Sequence, residues 1–200
     1  MDLTIDFLKE LRERSNEPIQ FGEHGLAAPE IDAIEKDLGF PFPQDFRFFL
    51  QNTSGSGGAL FPWWDFSKEA YTQSINWIID GLIFDVRHDD LWLNRWGEKP
   101  TSREEIENTV RADFETWPRL LPIYGHRYLS AEPVESGNPV FSIMQSDIIY
   151  YGHDLTDYLL REFAPSSPFD VPQDPIKFVP VWSNFAETTD GFATGGWFKG

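Results

Sequence analysis

The sequence predicts a single α+β domain, and three observations support this. The chain has 200 residues, a length typical of one domain. Apolar residues make up 40% and aromatic residues 16%, which is enough to form a hydrophobic core without any cysteine. Patterns of helical period come first, a cluster of short β-branched and aromatic runs follows, and a further helical pattern comes after them. This order is typical of an α+β domain.

Three helices are predicted in the N-terminal quarter of the chain. The first has Asp2 as its N-cap. The second begins at Pro29 and ends at Gly39, and the third begins at Pro43, because proline favours the first helical turn and glycine the residue after the last. Their apolar faces consist of Leu3, Phe7, Leu8 and Leu11; Ile31, Ile34 and Leu38; and Phe46, Phe49 and Leu50.

The middle of the chain gives weaker local signals. Residues 59–66 are apolar and contain proline, which predicts a loop, and 67–79 favour a short helix. The β-branched and aromatic residues at 83–86 predict a strand. Ser102 and Glu105 have the spacing of a capping box, so a helix is predicted to follow them.

The strands are concentrated in one region, and a helix and a long tail follow them. The predicted strand regions are 120–129, 139–144 and 147–151. Asp154 is predicted to cap the last helix. Residues 164–200 form a proline-rich C-terminal extension that we expect to pack on the domain in irregular form, with 188–200 frayed.

The chain is strongly acidic, with 16 basic and 33 acidic residues and a net charge of −17. Nucleic acid and anionic membranes would repel such a chain, so neither is expected as a partner. The charge fits either solubility alone or a basic protein partner. The N-terminus lacks the basic and apolar regions of a signal peptide, and no apolar run is long enough to span a membrane. We therefore expect a cytoplasmic protein.

No catalytic constellation is visible. The four histidines match no zinc pattern and there is no cysteine, so no metal is expected. A nucleophile elbow and a P-loop are both missing, so neither an enzyme nor a cofactor is predicted. The tightest polar cluster is 85–90, where His88 and its carboxylates could bind a metal or act as a base. The alternative is a solvated turn after a strand.

Aromatic residues interleaved with carboxylates are the best candidates for a partner-binding surface. Tryptophan is enriched at binding hot spots, and carboxylates steer a basic partner. The alternative is core packing under a long loop. The candidate residues are Trp63, Trp64, Asp65, Phe66, Asp85, Asp89, Asp90, Trp92 and Trp96.

A second candidate site lies at His126 and Arg127, inside an apolar run. Buried charges normally need partners, so Arg127 is predicted to form an ion pair with Asp147 or Glu132 across the sheet. The alternative is an anion-binding pocket formed by His126, Arg127 and Asp147.

A resemblance to a known family adds to this interpretation. Ile31, Glu35, Leu38, Gly39, Pro43, Phe46, Phe49 and Leu50 stand at the spacing of a family motif. This string resembles the opening motif of the SUKH superfamily, which contains fungal cell-wall assembly regulators of the Smi/Knr type and bacterial immunity proteins that neutralise toxins. Residues 121–129, 137–142 and 147–152 resemble the sheet of a bacterial branch, so the resemblance covers about 28–163.

The chain length predicts one domain over 1–200, and the resemblance implies that its core at 28–163 has a central, mostly antiparallel sheet flanked by helices. It also implies a protein-binding module rather than an enzyme. The leading hypothesis is an immunity protein that binds and neutralises a toxin domain, possibly a basic nuclease. The alternative is a scaffold or regulatory protein of the cell-wall regulator type. The sequence does not indicate an oligomeric state.

Overall fold

A computed structural model describes residues 3–15, 18–165 and 174–188. The helices are α1 Ile5–Arg14, α2 Ala28–Leu38, α3 Gln44–Asn52, α4 Lys68–His88, α5 Arg103–Phe114, α6 Leu155–Phe163 and α7 Trp182–Thr188. The strands are β1 Gln20–Gly22, β2 Ser54–Ser56, β3 Leu120–Tyr124, β4 Arg127–Ser130, β5 Val140–Met144 and β6 Asp147–Gly152. These elements confirm the predicted α+β class.

The central sheet is an antiparallel meander in the order β3-β4-β5-β6, and β1 and β2 form a small separate pair. The β3–β4 turn at Gly125–His126 and the β5–β6 turn at Gln145–Ser146 therefore lie at the same end of the sheet. We call this the turn end. The β4–β5 connection lies at the opposite end.

Two hydrophobic cores cover the two faces of the sheet. The first core lies under α1, α2, α3 and α6 and includes Phe7, Ile31, Phe46, Leu129, Val140 and Leu159. The second core lies under α4, α5 and α7 and includes Ile78, Val110, Tyr128, Phe141, Ile143 and Trp182. Successive strand residues point to opposite faces, so Val140 lies in the first core and Phe141 in the second.

The motif that carries the family resemblance has a structural role. Gly39 ends α2 with a φ of +84°, a conformation that glycine adopts without strain. Glu35 then joins α2 to α3, because its carboxylate accepts a hydrogen bond from the Phe42 backbone N–H at 2.6 Å and forms an ion pair with Arg47. Arg47 also pairs with Asp32 at 2.7 Å. The motif thus fixes the angle between two core helices.

The first helix begins later than the sequence pattern predicts. The Thr4 hydroxyl accepts a hydrogen bond from the Phe7 N–H at 3.2 Å and caps α1, which begins at Ile5. The predicted cap, Asp2, lies outside the described residues. Leu3 precedes the helix, yet its side chain is buried with the rest of the predicted apolar face.

The prediction for residues 67–86 is wrong in one respect. A single helix, α4, runs from Lys68 to His88, so the predicted strand at 83–86 does not exist. Ile78, Leu82 and Val86 are spaced by four residues and are all buried, so they form a helical stripe against the sheet. Burial of this stripe overrides the local strand preference of residues 83–86.

The described part of the C-terminal extension is also more regular than predicted. Residues 182–188 form α7, whose Trp182 and Phe185 are buried against Trp117 of the second core. The Trp182 indole N–H donates to the Pro118 carbonyl at 2.8 Å. Residues 166–173 and 189–200, including most of the segment predicted to fray, lie outside the described residues.

Candidate functional site: an acidic groove beside α4

The aromatic residues around Trp63 lie in the first core. Trp63 is only 2% exposed, and its indole N–H donates to the Pro122 carbonyl of β3 at 2.7 Å. Trp64 is half-buried and donates to the Thr53 carbonyl at 2.6 Å. Phe66 is half-buried and stacks on Trp63, whereas Asp65 is exposed. This segment therefore packs along the outer edge of β3.

The aromatic residues around Trp92 lie in the second core. Trp92 is 2% exposed and contacts Trp96 with ring centroids 4.9 Å apart. The indole N–H of Trp92 donates to the Gly97 carbonyl at 2.9 Å, and that of Trp96 donates to Asp113 at 2.8 Å. The expectation that these residues form one exposed patch with Trp63 is wrong. The two groups lie in different cores, where they pack under loops.

A groove of about 280 Å³ does bring several predicted residues together. It lies between the C-terminal end of α4, the β5–β6 turn and α7. Its lining consists of Asp89, Asp90, Leu91, Trp92, Ser146, Phe185 and Thr188. Apolar side chains thus line a concave surface that carries two exposed carboxylates, and we call it the acidic groove.

Asp85 holds two walls of the acidic groove together. Its carboxylate is 4% exposed and accepts hydrogen bonds from the Ser146 backbone N–H at 2.7 Å and hydroxyl at 2.5 Å. The expectation of a solvated turn after a strand is wrong here, because Asp85 lies in the last turn of α4. Its side chain faces the sheet, and its role is to fix the β5–β6 turn against the helix.

The basic side chains near the acidic groove are engaged elsewhere. Arg87 forms an ion pair with Glu107, Arg95 with Asp113, and Arg111 with Asp80. In the part of the chain that the structure describes, no cation pairs with the exposed carboxylates of Asp89, Asp90 and Asp147. Asp147 follows Ser146, but its side chain points to the other face of the sheet, because Ile148 faces the second core. The groove therefore presents uncompensated negative charge beside apolar side chains.

Neither metal binding nor a membrane span is supported within the described ranges. Residues 3–15, 18–165 and 174–188 contain no group of three or more histidine or carboxylate side chains placed to hold a metal ion. His88, the predicted metal ligand or base, is exposed and contacts Phe84 with ring centroids 4.4 Å apart and the rings tilted by 41°. None of the described helices is both long and apolar enough to cross a bilayer.

Arg127 does not form the predicted ion pair. Its guanidinium lies over the Tyr151 ring at 3.8 Å, and no ion pair to Asp147 or Glu132 occurs among the described residues. The strand register explains this, because Arg127 is opposite Ser142, whereas Asp147 is opposite Met144. Burial and, to a smaller extent, the positive charge of Arg127 lower the pKa of His126.

Polar atoms around Arg127 remain buried without a partner within the described segments. These are Nε and Nη1 of Arg127 and the hydroxyl of Tyr158. The Tyr158 side chain is fully buried, and this burial raises the pKa of its hydroxyl. His126, Arg127 and Asp147 therefore do not form one pocket. Arg127 lies over Tyr151, whereas His126 lines a separate pocket with Trp77 and Tyr128. Asp147 lies beside the β5–β6 turn, opposite Met144.

Sequence analysis missed part of the groove. Ser146 and Phe185 contribute to its lining but lie far from Asp89 in the chain. No local signal marks Ser146, since its place in the groove depends on the unrecognised C-terminal half of α4. Phe185 lies in the C-terminal extension, which the sequence predicts to be irregular. Only the apolar spacing of Trp182 and Phe185 hints at a buried helical face.

The fold defines the class of protein: an antiparallel meander covered by helices on both faces, with an acidic groove at its turn end. The family model described as SMI1 / KNR4 family (SUKH-1) matches residues 25–188. The match covers most of the chain, and the chain belongs to this family. It extends beyond the resemblance at 28–163 and includes α7. Comparison with curated proteins and with solved structures gave no match.

Proposed function

We propose that this protein is a non-catalytic, cytoplasmic immunity protein that binds a basic toxin domain through the acidic groove and thereby neutralises it. Membership of the SUKH-1 family supports a protein partner. The observation that carries the proposal is the pair of exposed carboxylates, Asp89 and Asp90, that have no cation partner in the described structure and lie beside apolar side chains.

Charge complementarity gives such a surface a clear physical use. A lysine or arginine side chain entering the groove would gain hydrogen bonds to carboxylates that the fold itself does not use. The net charge of −17 would also attract a basic protein over several ångströms and speed its association. A basic nuclease is one such partner, because its active-site surface must attract a polyanion and so matches an acidic inhibitor.

The proposal is tested with the protein encoded beside this one. We expect a tight 1:1 complex with a nanomolar dissociation constant, about −12 kcal/mol, and loss of the partner's toxic activity. The double variant Asp89→Asn/Asp90→Asn should weaken binding at least tenfold, mainly by slowing association, and raising the salt concentration should shrink this difference.

A matched control separates local from global charge effects. Asp65→Asn/Glu69→Asn removes the same charge at exposed positions near the first core, so it should leave the affinity nearly unchanged. Equal loss in both double variants would contradict a groove-specific interface. Weak binding to many proteins, without inhibition of any one, would instead favour the scaffold or regulatory role that the family also contains.

A further inference from the structure

The turn end of the sheet carries an exposed apolar surface that the proposed site does not include. Trp77 and Phe84 are 46% and 47% exposed. Large exposed apolar side chains that lie together usually mark an interaction surface rather than a random feature. We call these two residues the turn-end patch.

Helix geometry and one close contact bring the patch together. Trp77, Gly81 and Phe84 are separated by four and three residues, so they form one stripe along α4. The β5–β6 turn sits directly on this stripe, because a Cβ at Gly81 would lie 3.2 Å from the Cα of Gln145. Met144, the residue before Gln145, points to the opposite face of the sheet, because Ile143 lies in the second core. The aromatic side chains therefore flank the point where the turn meets the helix.

The patch is continuous with the acidic groove along α4. The Phe84 ring contacts the His88 ring, and Asp89 and Asp90 follow His88 in the chain. Asp85, one residue after Phe84, binds Ser146 in the same turn that contacts Gly81. The two surfaces thus share the last two turns of α4 and the β5–β6 turn. An apolar area with acidic residues along one side is the usual composition of an interface centre and its rim.

We infer that the turn-end patch anchors apolar side chains of the basic partner, whose lysine or arginine residues lie in the acidic groove; this inference rests on the proposed function. Net charge favours a basic partner, rather than a second copy of the chain, as the occupant of the patch. Two copies would each bring a net charge of −17 and would place like carboxylates side by side. A partner with alternating apolar and basic side chains meets both surfaces without that repulsion.

Three synthetic peptides test the inference on the full-length protein. They have 12 residues each and alternate leucine with lysine, serine with lysine, or leucine with glutamate. The Trp77 indole N–H signal in ¹H–¹⁵N spectra, assigned by its loss in Trp77→Phe, reports contact with the patch. We expect the leucine–lysine peptide to shift this signal and to bind at least tenfold more tightly than the other two.

Variants at the patch give the second readout. Trp77→Ser/Phe84→Ser should weaken binding of the leucine–lysine peptide at least tenfold, because both side chains are exposed and their loss leaves the cores intact. Phe178→Ser is the matched control. Phe178 is 52% exposed, and Lys177 beside it binds the Ser136 carbonyl at the opposite end of the sheet. This variant should bind as the wild type does.

Each other outcome overturns a defined part of the reasoning. Equal binding of both lysine peptides, unaffected by Trp77→Ser/Phe84→Ser, would refute the role of the turn-end patch as an anchor. The proposal of a basic partner would remain consistent with this result. Binding of neither lysine peptide would count against the basic partner and the anchor together. Equal binding of the leucine–glutamate peptide would refute charge complementarity. A Trp77 signal that shifts with protein concentration alone would show that a second copy of the chain, rather than a basic partner, occupies the patch.

Discussion

Replacing Asp85 by alanine tests how the acidic groove is assembled. The carboxylate is almost fully buried and accepts two hydrogen bonds from Ser146. Hydrogen bonds to a charged group contribute about 1.5–3 kcal/mol each. Ser146 is half-buried, so water can replace part of this loss. We therefore expect Asp85→Ala to lower the free energy of unfolding by about 2–4 kcal/mol.

The measurement is urea unfolding followed by tryptophan fluorescence, together with a thermal scan. For a chain of this size, about 2–4 kcal/mol corresponds to a fall in Tm of roughly 5–15 °C. Asp85→Asn should lose about half as much free energy, since its amide oxygen still accepts one of the two bonds while its NH₂ group faces the other donor.

Asp89→Ala is the matched control, because this exposed aspartate lies one turn later and makes no contact with Ser146 that the fold depends on. It should unfold as the wild type does. If Asp85→Ala were as stable as the wild type, the two bonds to Ser146 could not be what fixes the β5–β6 turn against α4. An equal loss in Asp89→Ala would show that the effect comes from net charge.

Three further variants probe other parts of the molecule. Burial raises the pKa of Asp45, so the stabilising contribution of this residue is present at low pH and is lost as the pH rises. In urea titrations, Asp45→Asn should therefore gain stability relative to the wild type above about pH 4. A difference in stability that does not depend on pH would contradict this. Tyr158→Phe removes a buried hydroxyl without a partner in the described residues, so it should be neutral or stabilising by about 1 kcal/mol; a clear loss of stability would reveal an acceptor. Trp182→Ala should cost about 3–5 kcal/mol in a single unfolding transition, whereas two separate transitions would show that α7 unfolds independently of the sheet.

Much of the fold could be predicted because its signals are local. The helix α2 has its apolar stripe, a proline in its first turn and Gly39 at its end, and all three act within a dozen residues. The strand region was recognised for the same reason. Residues 83–86 failed because their composition favours a strand, and only the distant contact of α4 with the sheet makes them helical.

The site was harder to predict because its parts come from three separate segments. Asp89, Asp90 and Trp92 could be grouped from the sequence, since they are neighbours in the chain. Ser146 and Phe185 join them only after the β5–β6 turn has packed against α4 and α7 has packed against β6. Trp63 shows the opposite error: its residue type is frequent at interfaces, yet its indole N–H is needed to bind the Pro122 carbonyl in the core.

The distribution of charge, more than its sum, connects the fold to the proposed function. Many cationic side chains of the described residues form ion pairs within the fold. Arg47 pairs with Asp32 and Glu35, and Arg161 pairs with Asp157. The excess carboxylates are therefore those that the fold does not need. Solubility depends only on their number, so it would not require any particular place for them. Binding of a partner requires carboxylates at particular positions, and the acidic groove places unpaired carboxylates beside apolar side chains at the C-terminal end of α4.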